Sequence, residues 1–129
     1  MGQQINITTG KVELTAQLND SPIAKVLMKK LPLKFRMSRW GDEYYGDCGL
    51  AVEEEPQART FMEIGELAVW PPGSALCIFF GPTPASTGSQ PIAASKVNPI
   101  GRVTSQLDSL KKLGPSIQVR VELSKKSQD

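Results

Sequence analysis

The chain has 129 residues, 40% of them hydrophobic, which suits one domain, residues 1–129, with a real core. Its 15 basic and 13 acidic residues leave a net charge of only +2, and the basic residues are scattered rather than gathered into a nucleic-acid-binding stripe. Its apolar runs fall far short of the roughly 20 residues a membrane helix needs, and the start, Met1-Gly2-Gln3-Gln4-Ile5, lacks the regions of a signal peptide. A Met1-Gly2 start suits myristoylation, but Asn6 stands where that signal needs Ser or Thr. These features predict a cytoplasmic protein with no nucleic-acid or membrane partner.

Chemistry is narrowed by what is missing. There is no histidine, so the usual base of a Ser-His or Cys-His pair and the commonest zinc ligand are absent. Cys48 and Cys77 form no disulfide framework or metal-ligand pattern. Cys77 reads as a small buried residue within an apolar run, and Cys48, in Gly46-Asp47-Cys48-Gly49, as a loop thiol. No metal or cofactor is expected.

In chain order, Val12, Leu14, Ala16 and Leu18 alternate with polar residues, the period of a half-buried strand. Ser21 and Pro22 suit an N-cap and first helical position, and Ile23, Ala24, Leu27, Met28 and Leu31 form one apolar stripe. A helix is therefore predicted over residues 21–31, stopped by Pro32. Leu33, Phe35 and Met37 alternate in a second strand. Glu53-Glu54-Glu55-Pro56 reads as a solvated loop. Residues 61–64 and 67–70 read as strands around Gly65-Glu66, and residues 75–80 as a strand buried on both faces. Residues 83–99, rich in Pro, Ser, Thr, Gly and Ala, read as a long loop of the kind that is often functional. A strand over 100–103 precedes a helix over 105–113, with Ser105 and Asp108 resembling a capping box and Gly114-Pro115 as its stop. Residues 117–123 alternate in a final strand, and 125–129 read as a polar tail. The expected ordered core is about 4–123. Many short strands with two separated helices suit a mainly β closed barrel of about eight antiparallel strands.

All eight aromatics lie between Phe35 and Phe80. Phe35, Phe61, Phe79 and one of Tyr44 or Tyr45 are expected in the core at strand spacing. Trp40 and Trp70 each end a strand beside a turn, where an indole offers an apolar face and a donor together. Glu43, just beyond Trp40, is either a solvated turn carboxylate or, in an aromatic pocket, a group of raised pKa able to act as acid, base or counterion of a bound cation. If exposed, it should tolerate Glu43→Gln within about 0.5 kcal/mol. A ligand pocket is thus expected from Trp40, Glu43, Tyr45, Trp70 and Phe80, rimmed by residues 83–99, with Thr83 either donating at the rim or stabilising its turn. The rigid corner Trp70-Pro71-Pro72-Gly73 is expected to hold a cis bond before Pro71 or Pro72.

The order of pieces resembles cyclophilin. Gly10-Lys11-Val12-Glu13-Leu14 to Leu18 with Ser21-Pro22, Phe79-Phe80 with Pro82-Thr83-Pro84, and Gly101-Arg102-Val103 with Leu107-Asp108-Ser109-Leu110-Lys111-Lys112-Leu113 are similar to parts of that fold. Trp40-Gly41-Asp42-Glu43-Tyr44-Tyr45, Ile64-Gly65-Glu66 and Trp70-Pro71-Pro72-Gly73 more closely resemble a small prokaryotic cyclophilin-like family of unassigned function, over roughly residues 5–123. The resemblance to the isomerases implies a catalytic arginine after a Phe-His pair, then a glutamine, and a proline pocket of Phe, Trp and His. Phe80 carries over; Arg36, after Phe35, is the candidate arginine, but the residues following it bear no likeness to the motif, and the chain has no histidine and no tryptophan after Pro84. A binding module for a small molecule or peptide, without prolyl isomerase activity, is the expected function. Two alternatives accompany it. One is a component of an amide-hydrolysing assembly with a larger subunit, as in the cyclophilin-like subunits of urea-derivative and oxoproline hydrolases; the other is a divergent isomerase.

Overall fold

Alternation of apolar and polar residues gives each strand one greasy face, and burying all of those faces at once closes the sheet on itself. The computed structural model describes residues 3–124; Met1-Gly2 and the polar tail expected at 125–129 lie outside the described residues. The strands are β1 (Gln4–Thr9), β2 (Val12–Leu18), β3 (Leu33–Arg39), β4 (Glu43–Asp47), β5 (Arg59–Phe61), β6 (Glu66–Trp70), β7 (Ala75–Phe79), β8 (Ile92–Val103) and β9 (Ser116–Leu123). All pairings are antiparallel, in the order β2-β1-β9-β3-β4-β7-β6-β8, and β8 closes the ring onto β2 through Ala16–Val103 and its neighbours. The expected eight-stranded closed ring is present; β5 lies outside it and, among the described residues, pairs with β8 alone.

The ring interior is filled by every second residue: Ile5 and Ile7, Leu14, Ala16 and Leu18, Leu67 and Val69, Leu76 and Ile78, Val119 and Val121. Each large side chain so buried contributes about 1.5–3 kcal/mol. Helix α1 (Pro22–Lys30) starts as its sequence dictates, with Ser21 accepting from the Ala24 N–H at 3.3 Å and Pro22 in the first turn. It sinks Ile23, Ala24 and Leu27 into the same core. Helix α2 (Asp108–Lys111) is a single turn that buries Leu110. No described helix is long and apolar enough to cross a membrane.

A second layer lies outside the ring. The first half of β8 pairs with β5 and folds over the outer face of β6 and β7, enclosing Met62, Ala68, Cys77, Phe79, Ala93 and Val97. This flap is why β7 is buried along its whole length: Leu76 and Ile78 face the ring core, while Cys77 and Phe79 face the flap. Asn98, fully buried, fastens the acidic loop by donating to the Glu53 carbonyl at 3.0 Å and accepting from the Glu55 N–H at 2.8 Å. Arg59 binds Glu66 with two parallel contacts of 2.9 and 2.6 Å, tying β5 to β6.

Several expectations are corrected. Residues 83–99 are not one long loop: β8 begins at Ile92, where it pairs with β5 and packs Ala93 and Val97 against Ala68, Cys77 and Phe79. The strand expected at 61–64 is Arg59–Phe61, and Phe61 is 60% exposed rather than a core residue, since β5 is an outlying edge and Met62 takes the buried place. Cys48 does lie in a loop, just after β4, but it is buried, its thiol donating to the Ser74 carbonyl at 3.4 Å, and burial pushes its pKa up, the opposite of an activated nucleophile. Ser105 does not cap α2; its hydroxyl accepts from the Thr15 N–H at 3.0 Å. The bonds at Trp70-Pro71-Pro72 are trans, and residues Pro71–Gly73 form a single 3₁₀ turn that a trans proline is preshaped to begin; the cis bond among the described residues is Leu31-Pro32.

Arg39 locks β3, β4 and α2 together. Its guanidinium donates to the carbonyls of Gly41 (2.8 Å), Lys111 (3.2 Å) and Leu113 (2.9 Å), pairs with Asp42 (2.8 Å), and lies over the rings of Tyr44 and Phe80. Arg39→Ala is expected to cost about 2–4 kcal/mol in urea unfolding followed by circular dichroism, because these carbonyls lose a charged donor. Arg39→Lys should recover little, since an ammonium cannot span the same set. An Ala variant as stable as the parent would refute this role.

Candidate functional site

Trp40 and Glu43 are set by a two-residue hairpin turn. The Trp40 N–H donates to the Glu43 carbonyl at 2.8 Å and the Glu43 N–H returns to the Trp40 carbonyl at 3.2 Å. Gly41, with φ of 62°, takes the first central position, where a type II′ turn needs positive φ. A side chain there would also strike Pro84 and Thr83, which pack directly on the turn. The Asp42 N–H donates to the Pro82 carbonyl, and the Phe80 N–H to the Asp42 carbonyl, both at 2.9 Å. Residues flanking such a turn share a face, and Tyr45 lies two residues further along the same face of β4.

That face looks away from the ring core, toward the flap. Glu43 pairs with Phe79 and Tyr45 with Cys77 on β7, and Tyr45 and Trp70 pack against the outer cluster. Trp70, at the end of β6, is fixed from two sides. Its Nε1–H donates to the Ser95 hydroxyl at 2.6 Å, and its six-membered ring rests on Gly73, where a Cβ would lie 2.8 Å from Cε3. Trp40, Glu43, Tyr45 and Trp70, with Ala93, Ala94 and Val97 of β8, line a cavity of about 210 Å³. Four of the expected site residues are thus brought together, and Ala93, Ala94 and Val97 come from the stretch 83–99 expected at the rim, here as a strand rather than a loop.

Glu43 is only 6% exposed, so the reading as a solvated turn carboxylate is overturned. Desolvation pushes its pKa from 4.5 up to about 7, against a smaller lowering by a hydrogen bond with the Cys77 side chain. The same burial, with the neighbouring carboxylate, raises the Cys77 thiol well above its ordinary range. Among the described residues no group of three His, Cys, Asp or Glu side chains could hold a metal ion.

A family model described as cyclophilin-like matches residues 3–122. The chain belongs to the cyclophilin-like family. A solution structure of a hypothetical protein from Archaeoglobus fulgidus is similar to it, at 33% identity over 95% of each chain, with a TM-score of 0.79. No curated protein matches the chain.

In this cyclophilin-like domain the remaining candidate residues lie apart from the cavity. Phe80 is buried inside the ring, stacked on Tyr44 with centroids 5.6 Å apart. Strand parity explains this: Phe79, one residue earlier, is on the flap side. Thr83 donates its hydroxyl to the Ile92 carbonyl at 2.5 Å and accepts from the Ala85 N–H at 3.2 Å, so it steadies the turn that leads into the cavity wall. Arg36 stands on β3 where that strand pairs with β9, exposed and donating to the Ser116 hydroxyl at 2.9 Å.

The buried carboxyl makes stability depend on pH with a definite sign. The folded chain holds the Glu43 proton to about pH 7, whereas 4.5 is the ordinary value for the unfolded chain. This group's contribution is therefore fully present below 4.5 and is lost as pH rises through about 7. Glu43→Gln should remove that dependence and make the protein up to about 3 kcal/mol more stable than the parent above neutrality. Parallel urea titrations across this range check it; identical pH profiles would refute it. Gly73→Ala is expected to lift the Trp70 indole off its seat, read as a shifted Nε1–H resonance, while the ring core amides stay unchanged.

Proposed function

We propose that this cyclophilin-like domain is a small-molecule-binding module without prolyl isomerase activity. The observation that carries the proposal is one carboxyl group buried in a cavity otherwise walled by two indoles, a phenol and small aliphatic side chains. Ligand sites are commonly concave and apolar with a few placed polar groups, and about 210 Å³ is below the usual drug-sized range, so the ligand is small. A fully folded domain has no stability reason to bury an ionisable carboxyl in such a place, since burial costs free energy unless something else compensates it.

The absence of isomerase activity is supported by residues with other duties. Rotation about a prolyl bond is accelerated by groups that interact more strongly with the twisted amide than with the planar one. Here Phe80 is enclosed by the ring core, Arg36 is engaged with Ser116, and the chain has no histidine. A set of groups that acts as a unit loses most of its effect when several members are missing.

Two measurements test the reading. Native mass spectrometry of protein purified without denaturation should show a small adduct that Ala93→Trp, which fills the cavity, excludes. An Xaa-Pro peptide assay should show the uncatalysed rate for both the parent and Arg36→Ala. Turnover by the parent that Arg36→Ala abolishes would overturn the proposal, and so would an adduct indifferent to filling the cavity.

A further inference from the structure

The chemistry of the cavity lining goes beyond the fact of a pocket. Resting on the small-molecule reading of this same cavity, we propose that its ligand is a compact organic cation, a methylated ammonium group. Its charge would sit against the Glu43 carboxylate and its methyl groups against the rings of Trp40, Tyr45 and Trp70.

The lining supplies one negative group and no positive one: Trp40, Glu43, Tyr45, Trp70, Ala93, Ala94 and Val97. An anion would meet a carboxylate and no cationic side chain. A small inorganic cation demands several oxygen ligands to replace its water, and this cavity offers a single carboxylate among carbon surfaces. A methylated ammonium has the opposite need. Its charge is diffuse, it is weakly hydrated, and aromatic rings receive it through the negative potential over their faces. Trp70 suits that use because its Nε1–H is already spent on Ser95, which fixes the ring and leaves its π surface rather than its donor for a ligand.

The charged groups around Glu43 leave the carboxylate available. Arg39 is turned to the inner side, over Tyr44 and Phe80, and is committed to Asp42. On β7 the facing titratable group is Cys77, whose thiol stays protonated; on β4 it is Tyr45; and Lys96 of β8 is exposed and does not line the cavity. A cation entering the cavity therefore meets a carboxyl that is easily ionised near neutrality, and its arrival favours the ionised form. Affinity should rise as pH increases through about 7 and level off above it.

Isothermal titration calorimetry with choline and with 3,3-dimethyl-1-butanol, the neutral isostere carrying carbon in place of the ammonium nitrogen, separates charge from shape. Above neutrality choline should bind at least about tenfold more tightly than the isostere, as desolvated cation–π contacts allow. Glu43→Gln should reduce that preference to what the rings alone supply and abolish its pH dependence. Trp70→Leu, which keeps an apolar wall, should weaken choline about tenfold and the isostere less. Equal or tighter binding of the isostere would overturn the cation proposal while leaving the binding module intact. Failure of both probes at millimolar concentration would also overturn it, and the native adduct would then decide whether the cavity binds anything. A choline preference that Glu43→Gln leaves undiminished, with its pH dependence intact, would overturn the role given to the carboxylate.

Discussion

The guanidinium of Arg39 is the constraint on which both the ring and the cavity depend. A ring of short strands needs its turns and its small helix held to the same frame, and α2 has only one turn with which to hold itself. Carbonyls at the end of a helix lack intrahelical donors, and Arg39 supplies them from β3 while also reaching Gly41 and Asp42 in the following hairpin. The same hairpin ends in Trp40 and Glu43, so one charged fork inside the frame determines where two cavity residues stand outside it. Its charge is balanced by Asp42 and received by the rings of Tyr44 and Phe80, which makes its partial burial tolerable.

The second layer has a different physical origin. Nothing in ring closure requires β7 to be covered on its outer face, yet Cys77 and Phe79 are as apolar as the core residues between them. The β5–β8 flap answers that surface, and it holds its place through Arg59 on Glu66 and through Asn98 on the acidic loop. Where the flap meets β4 it does not close fully. The gap is the cavity, and its edge lies over a carboxyl. The free energy spent in burying Glu43 is offset by the packing around it, so the site is a local weakness carried by a well-built surround.

Much of the frame is legible in the chain. Strict alternation marks β2, β3 and β9, a capped apolar stripe marks α1, and the uninterrupted run of 75–80 marks the strand buried on both faces. Strand β1 is absent from that reading, although Ile5 and Ile7 alternate with Asn6 and Thr8, because so short a pattern resembles many loops. Strand β8 is hidden for a better reason. Its first half is Ile92-Ala93-Ala94-Ser95-Lys96, a composition with weak strand preference that becomes a strand through its neighbours. Trp40, Glu43, Tyr45 and Trp70 are legible from their positions beside turns. Phe80 lies in the ring core and not at the cavity, because the face a residue takes depends on cross-strand register, which the chain alone does not reveal. Arg39 gave no signal, since a lone arginine at a strand end looks like any solvated charge.

The placement of the indoles has an optical consequence. The chain contains two tryptophans, and both border the same cavity. Neither belongs to the ring core, where the buried rings are Tyr44 and Phe80. The near-ultraviolet emission of this protein is therefore a local signal, governed by the polarity of a single gap and by the charge on the carboxyl beside it, while the amide absorbance reports the ring. Two probes that usually speak for the same event here speak for separate layers. A difference between them would describe the flap lifting before the frame gives way.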